Sequence, residues 1–175
     1  MSVEAWLRGP IEGVDPLVAP SLYGFDQSRE DLAKFTEGLT PEQIWLRPHG
    51  LGSVGFQLQH IAGSVDRLLT YLRGEQLTQE QIEEMKREME PGPSLEELFA
   101  KVDAAFRRAE EEFRRVDPAR LADPRGVGRK QLPTTVLGVM VHIAEHTQRH
   151  VGEVIITAKL VRALGEAGLT QAQNK

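Results

Sequence analysis

The stretch Val141 to Glu153 reads V-H-I-A-E-H-T-Q-R-H-V-G-E and carries three of the chain's five histidines, His142, His146 and His150, at steps of four. On a helix, residues four apart stack one turn above another on the same side. Neutral imidazoles so placed can bind a divalent transition metal or move protons near neutral pH. Cysteine is absent. Disulfides, thiolate metal sites and cysteine nucleophiles are therefore excluded, and a transition-metal site has to draw on His, Asp, Glu or water. His142 and His150 lie about 12 Å apart along a helix axis, too far to grip one ion together. The choice of pair is therefore His142/His146 or His146/His150. A third ligand must come from another element, and His60 is the candidate. Glu153, one turn after His150, is placed to orient a ligand imidazole, join the metal shell or take a proton from water at the site.

The elements that must position these residues are helical. The pattern from about residue 17 to residue 37 is a helix with Leu22, Phe25, Leu32 and Phe35 on one stripe, closed by Gly38. Thr40-Pro41-Glu42-Gln43 is a capping box with a first-turn proline, opening a short helix that Pro48 ends. Ser53 caps the second long helix, whose apolar residues Val54, Leu58, Ile61, Val65, Leu68 and Leu72 form a seam suited to bundle packing. Gly74 ends it. Residues 75–93 form a long crossover containing a short charged helix over residues 78–88, stopped by Pro91-Gly92-Pro93. Ser94-Leu95-Glu96-Glu97 is a second capping box, and the third long helix buries Leu98, Val102, Phe106, Ala109, Phe113 and Val116. Residues 118–133 read as a loop with Arg125, Arg129 and Lys130 exposed. Thr134 or Thr135 caps the fourth helix, which runs to about Leu164 with Gly165 as its C-cap. The tail after Gly168 is polar. Trp6 and Trp45 read as packing residues, and His49 as a loop residue. No stretch sustains β alternation. The expected fold is all-α: a four-helix bundle with a long crossover between helices 2 and 3, one domain over residues 1–175 with its core at about 17–165.

At about 100° per residue, Val136, Met140, Ile143, Val151, Val154, Ala158 and Val161 set the core direction of the fourth helix. His150 then lies about 55° from it, His146 about 95° and His142 about 135°, all to one side, with Glu153 about 115° off on that side. His60 lies about 120° from the centre of its own seam. The candidate ligands thus occupy helix flanks, and flanks of neighbouring helices make a groove. The pair His146/His150 points nearer the bundle and is preferred, leaving His142 as a pocket group. Three imidazoles in a groove leave a replaceable position, which is how catalytic rather than structural zinc is held. His142-Ile143-Ala144-Glu145-His146 also fits the H-x-x-E-H pattern of inverted zinc proteases. That reading is set aside because Glu145 points about 165° from the core direction and no strand edge offers to hold an extended peptide.

Composition bounds the partners. With 21 basic and 26 acidic residues the formal charge is −5, which disfavours nucleic acid. No apolar run approaches the roughly 20 residues of a membrane span. The N-terminal M-S-V-E-A-W-L-R-G-P lacks the basic start and apolar run of a signal peptide, so a cytoplasmic location is expected.

Two segments together resemble a known family. Pro48-His49-Gly50-Leu51-Gly52-Ser53-Val54-Gly55-Phe56-Gln57-Leu58-Gln59-His60-Ile61-Ala62 is similar to the segment of DinB-like (YfiT-like) proteins that carries their first ligand histidine. His146-Thr147-Gln148-Arg149-His150-Val151-Gly152-Glu153 resembles their later H-x-x-x-H-x-G-Q segment. The resemblance covers about residues 17–165. It implies up-down-down-up connectivity and a three-histidine site for zinc or nickel, which falls on His60, His146 and His150. It also implies a small-molecule substrate, in some relatives with a low-molecular-weight thiol such as bacillithiol or mycothiol as co-substrate of an S-transferase or isomerase, and it allows a homodimer. Val151 stands where arginine is frequent and Glu153 where glutamine is, so a carboxylate is added beside the site.

Two functional classes follow. One is a metal-dependent hydrolase or thiol S-transferase in which Glu153 or His142 handles the proton. The other is a non-catalytic metal- or small-ligand-binding module with a stress-response or regulatory role, favoured by the lack of an unmistakable acid/base pair beside the histidines. A plain helical scaffold without metal is the remaining reading.

Overall fold

Local chemistry sets where the helices begin. In this computed structural model, which describes residues 3–166, the first long helix α1 spans Ala19–Thr36 and ends before Gly38 at φ 75°. The short helix α2, Pro41–Trp45, starts at a full capping box between Thr40 and Gln43. The Ser53 hydroxyl accepts from the Phe56 amide at 3.1 Å and opens α3, Val54–Leu72. Thr78 with Gln81, and Ser94 with Glu97, form the capping boxes of α4, Gln79–Arg87, and α5, Leu95–Arg115. Each box satisfies helix-end amides that would otherwise be orphaned. The last helix α6, Val136–Glu166, is capped by Thr135, whose hydroxyl accepts from the Gly138 amide at 3.0 Å.

The all-α expectation needs one correction. Within the segment read as a loop, β1 (Pro124–Val127) pairs antiparallel with β2 (Leu132–Thr135), Pro124 opposite Thr135 and Val127 opposite Leu132. Its turn uses Gly128 at φ 71° and Gln131 at φ 50°. Strands of four residues that include Pro124, Gly126 and Pro133 carry no period-two signal, and proline is tolerated because both strands are edges. The hairpin has a structural task. The Val136 amide donates to Asp123 O and the Leu137 amide to Leu121 O, at 3.0 and 2.9 Å, fixing the start of α6. Arg125 is not an exposed loop cation: it is half-buried and donates from Nε to Leu72 O at 2.5 Å, tying the hairpin to the end of α3. Gly165 lies inside α6 and does not cap it. Trp6 does not pack into the core; it is 62% exposed, with Nε1 donating to Glu4. The tail after Gly168 lies outside the described residues.

The long helices α1, α3, α5 and α6 enclose one contiguous buried cluster. Phe25 of α1 stacks on Phe106 of α5 with ring centroids 4.8 Å apart and meets Phe113 at 5.8 Å. Burying a side chain of that size stabilises the fold by roughly 2–3 kcal/mol. The seam of α3 is buried at Val54, Leu58, Ile61, Val65 and Leu72, while Leu68 is only partly buried and Leu69 is buried instead. On α6 the residues expected to face the core, from Val136 through Met140, Ile143, Val151, Val154 and Ala158 to Val161, are all buried, and so are Val139, Thr147 and Thr157. Polar contacts fix the register. The Ser21 hydroxyl donates to Met140 O, the Gln148 amide to Gly24 O, and Arg162 to Phe35 O. Arg29 joins α1 to Asp103 and Glu110 of α5, and Arg73 at the end of α3 reaches Glu112 of α5. Among the described residues no helix is long and apolar enough to cross a membrane.

Candidate metal centre

His60 sits in the second turn of α3, and His146 and His150 lie one turn apart in the middle of α6. Because α3 packs against α6, the flanks carrying these residues face one another. The ring centroids are 4.5 Å apart for His60 and His150, 4.5 Å for His146 and His150, and 5.3 Å for His60 and His146. One nitrogen from each ring lies within 4.8 Å of the other two, so the group could hold a metal ion. All three residues are half-buried.

The outer sides of the rings are held differently. His60 Nδ1 lies 2.7 Å from Glu88 Oε2, and Glu88 Oε1 accepts from Arg67 Nη1 at 2.5 Å. His150 Nδ1 lies 2.7 Å from Gln57 Oε1 and 3.2 Å from Glu153 Oε2. A carboxylate and an amide oxygen only accept. Both Nδ1 atoms must therefore carry the proton, and the Nε2 lone pairs are left for the inner side of the cluster. His146 is the exception: its Nδ1 is buried with no hydrogen-bond partner. A buried ring nitrogen without a partner is costly, and among three converging imidazoles it fits a group whose natural partner is a cation.

The electrostatics agree. Burial, followed by the neighbouring His150 and His60, pushes the His146 imidazolium down to about 4 from an ordinary 6.5. Burial and then His60 depress His150 as well, while Glu153 opposes the shift. His146 and His150 are thereby held toward the neutral form, the state in which imidazole binds metal.

His142 is not gathered into the cluster. It is half-exposed on the rim, with Nδ1 3.1 Å from Glu145 Oε2 and its ring 5.4 Å from that of His146. Glu153 lies beside His150 with its side chain 47% exposed. Glu145 lies on the outer face of α6, bonded to Arg149 as well as His142, and Arg149 holds its carboxyl below the usual range. That is not the position of a general base aimed at a metal held between His142 and His146.

Three side chains around the site carry no mark in the sequence: Gln57, Glu88 and Arg67. Gln57 shares a flank with His60, three residues away, and that spacing is the one available signal. Glu88 follows α4 in a crossover rich in glutamate, and only its burial, at 7% exposure, sets it apart. The wall between α3, the crossover and α5 also bounds a cavity of about 580 Å³ lined by Gln59, Asp66, Arg87, Glu88, Lys101 and Arg108. None of the three clustered histidines lines it, so this cavity stands behind the site and Glu88 lies between the two.

A comparison with curated proteins gives no match. The family model described as DinB superfamily matches residues 24–154. That span contains α3, the crossover, α5 and both histidine segments and covers well over half of the 175 residues; the chain belongs to the DinB superfamily.

Proposed function

We propose that His60, His146 and His150 hold a divalent metal ion, zinc or nickel, and that the centre serves a hydrolase or a thiol S-transferase acting on a small molecule in the cytoplasm. The observation that carries the reading is the convergence of three imidazoles whose Nδ1 atoms are either bonded away from the cluster, at His60 and His150, or buried without a partner, at His146. The donor set, all nitrogen and without thiolate, suits zinc or nickel. When bound, such an ion supplies a Lewis acid that makes coordinated water or thiol acidic near neutral pH.

The chain's own groups take the remaining tasks. Gln57 and Glu88 hold two rings with their lone pairs inward. Glu153 shares the His150 Nδ1–H with Gln57. It can therefore swing away without freeing the ring and accept the proton released from the nucleophile. His142 on the rim is the second proton carrier. The helix directions behind this arrangement are read as up-down-down-up. Supporting this are the pairings of Ser21 with Met140 and Phe35 with Arg162 along α1 and α6, and of Trp45, which packs on Gly55, with Pro93 at one end and Arg73 with Glu112 at the other for α3 and α5. The family also allows a homodimer, which sedimentation of the purified protein would test.

The exposure of both Glu153 and His142 favours a second reading, a metal- or small-ligand-binding module without turnover. Elemental analysis of untagged protein, wild type against His150→Ala, tests the metal centre; no metal in either would leave only a helical scaffold. Assay of the metal-loaded protein against hydrolytic and thiol-conjugation panels then separates the enzyme from the module. Stoichiometric metal without turnover selects the module.

A further inference from the structure

Glu88 stands where a chain with this much glutamate has no obvious need of one. Its side chain is 8% exposed, and its two oxygens are divided between His60 Nδ1 and Arg67 Nη1. Arg67 is itself buried, at 8% exposure. The crossover that delivers Glu88 is latched by polar contacts. The Gln59 amide donates to Glu88 O at 2.9 Å and Glu90 O at 3.2 Å, Gln81 donates to Asp66 and Thr70, and α4 buries none of its own residues. The seat on α3 is shaped for a carboxylate. Gly63 occupies a helix interior, where glycine costs about 1 kcal/mol relative to alanine. A methyl there would collide with Glu88 Oε1 and come within 2.8 Å of Arg67 Nη1. His60, Gly63 and Arg67 thus line one flank of α3 as ring, seat and counter-charge for one carboxylate arriving from 21 to 28 residues away.

We propose that Glu88 is a positioning residue. Held in the Gly63 seat by Arg67, it fixes His60 as the Nδ1–H tautomer with the Nε2 lone pair turned toward His146 and His150. The consequence for metal affinity rests on the metal reading above; the tautomer does not.

Glu88→Gln puts this geometry under a sharp demand. Both neighbours of the carboxylate are donors, and a guanidinium can only donate. The glutamine oxygen must face Arg67, and its NH2 then faces His60 Nδ1. His60 relieves the clash by moving its proton to Nε2, which blocks the nitrogen meant for the ion. Long-range 15N–1H spectra of the metal-free protein, above the ordinary histidine titration range, read this directly. The expected result is Nδ1–H at His60 in wild type and Nε2–H in Glu88→Gln. Chelator competition with zinc alone is expected to show a 10- to 100-fold loss of affinity in the variant, the usual effect of removing a ligand's outer partner. Gly63→Ala raises helix propensity and so guards against a mere folding defect. It should keep the helical spectrum and melting behaviour yet lose zinc affinity over the same range, because the carboxylate is displaced.

If wild type binds no zinc but the tautomer switches, the metal reading fails and the positioning role stands. If wild type binds zinc, and either Glu88→Gln leaves the His60 tautomer unchanged or both variants bind zinc as wild type does, the positioning role is overturned and the metal reading stands.

Discussion

Replacing His60 by alanine is the substitution with the most at stake, because the ring comes from a different helix than its two partners. Its centroid lies 4.5 Å from that of His150 and 5.3 Å from that of His146. No other described residue was found to complete a metal-ligand group with those two. Four-ligand structural zinc sites bind with roughly 10–16 kcal/mol, or about 3–4 kcal/mol per protein ligand. Losing one of three should weaken binding by about two to three orders of magnitude. Thermal unfolding reads the difference without any knowledge of substrate. Zinc at 100 times the wild-type dissociation constant should stabilise the native state by about 2.7 kcal/mol. For a chain of this size that is a rise in Tm of about 5–10 °C. At the same zinc concentration, a variant weakened 100-fold or more should gain at most about 0.4 kcal/mol, or less than about 2 °C. His60→Ala, His146→Ala and His150→Ala should all behave this way. His142→Ala should keep the wild-type shift, since its ring meets only that of His146, at 5.4 Å, and its Nδ1 is bonded to Glu145. A full shift in His60→Ala, or its loss in His142→Ala, would refute the assignment of ligands.

Further outcomes follow from the same geometry. The depressed His146 makes the metal-free fold sensitive to mild acid. With a folded value of about 4 below an unfolded 6.5, its contribution is complete above pH 6.5 and is lost as pH falls toward 4. After discounting for partial exposure this is a loss of about 1–2 kcal/mol, and urea unfolding of metal-free wild type and His146→Ala across that window should differ in slope. Gln57→Ala leaves Glu153 as the one acceptor at His150 Nδ1, so the double variant with Glu153→Ala should lose more zinc affinity than the two single losses summed, a coupling of about 0.5–3 kcal/mol in a double-mutant cycle; strict additivity would mean that the two acceptors do not substitute for each other. Phe106→Ala empties a fully buried position that stacks on Phe25 and receives the Arg29 guanidinium at 5.3 Å. It should cost about 3–5 kcal/mol, seen as a fall in the urea midpoint with little change in slope.

What was legible in the sequence is what is decided locally. Thr40, Ser53 and Ser94 announce helix starts because a cap and its partner lie within three residues of each other, while for α6 the same signal leaves Thr134 and Thr135 open and the structure selects Thr135. The pairing of His146 with His150 is legible because a helical step of four is a distance. The flank arithmetic placed His60 opposite them because α3 and α6 are each amphipathic enough to fix a rotation. The hairpin at 124–135 was not legible, since four-residue edge strands with two prolines bury too little to show a pattern. Glu88 was beyond reach for a different reason: Glu80, Glu83, Glu84, Glu88 and Glu90 are equivalent in type. The choice among them is made by where the crossover settles against Gly63 and Arg67.

The three imidazoles are unequal, and the inequality has a physical direction. His60 is backed by a carboxylate whose charge Arg67 already balances, His150 by a neutral amide with Glu153 in reach of solvent, and His146 by nothing. Apart from the half-exposed Glu153, the surroundings thus bring little uncompensated negative charge to the cluster. Three neutral ligands leave most of a dication's charge for whatever binds fourth, which favours an anionic or ionisable partner over a neutral one. His146, half-buried with its Nδ1 unpartnered, is the ring least held before that charge arrives, whereas His60 and His150 are already held in place. The fold therefore spends its outer hydrogen bonds on His60 and His150, through the buried Glu88 and Gln57, and leaves the His146 Nδ1 to whatever the site takes up.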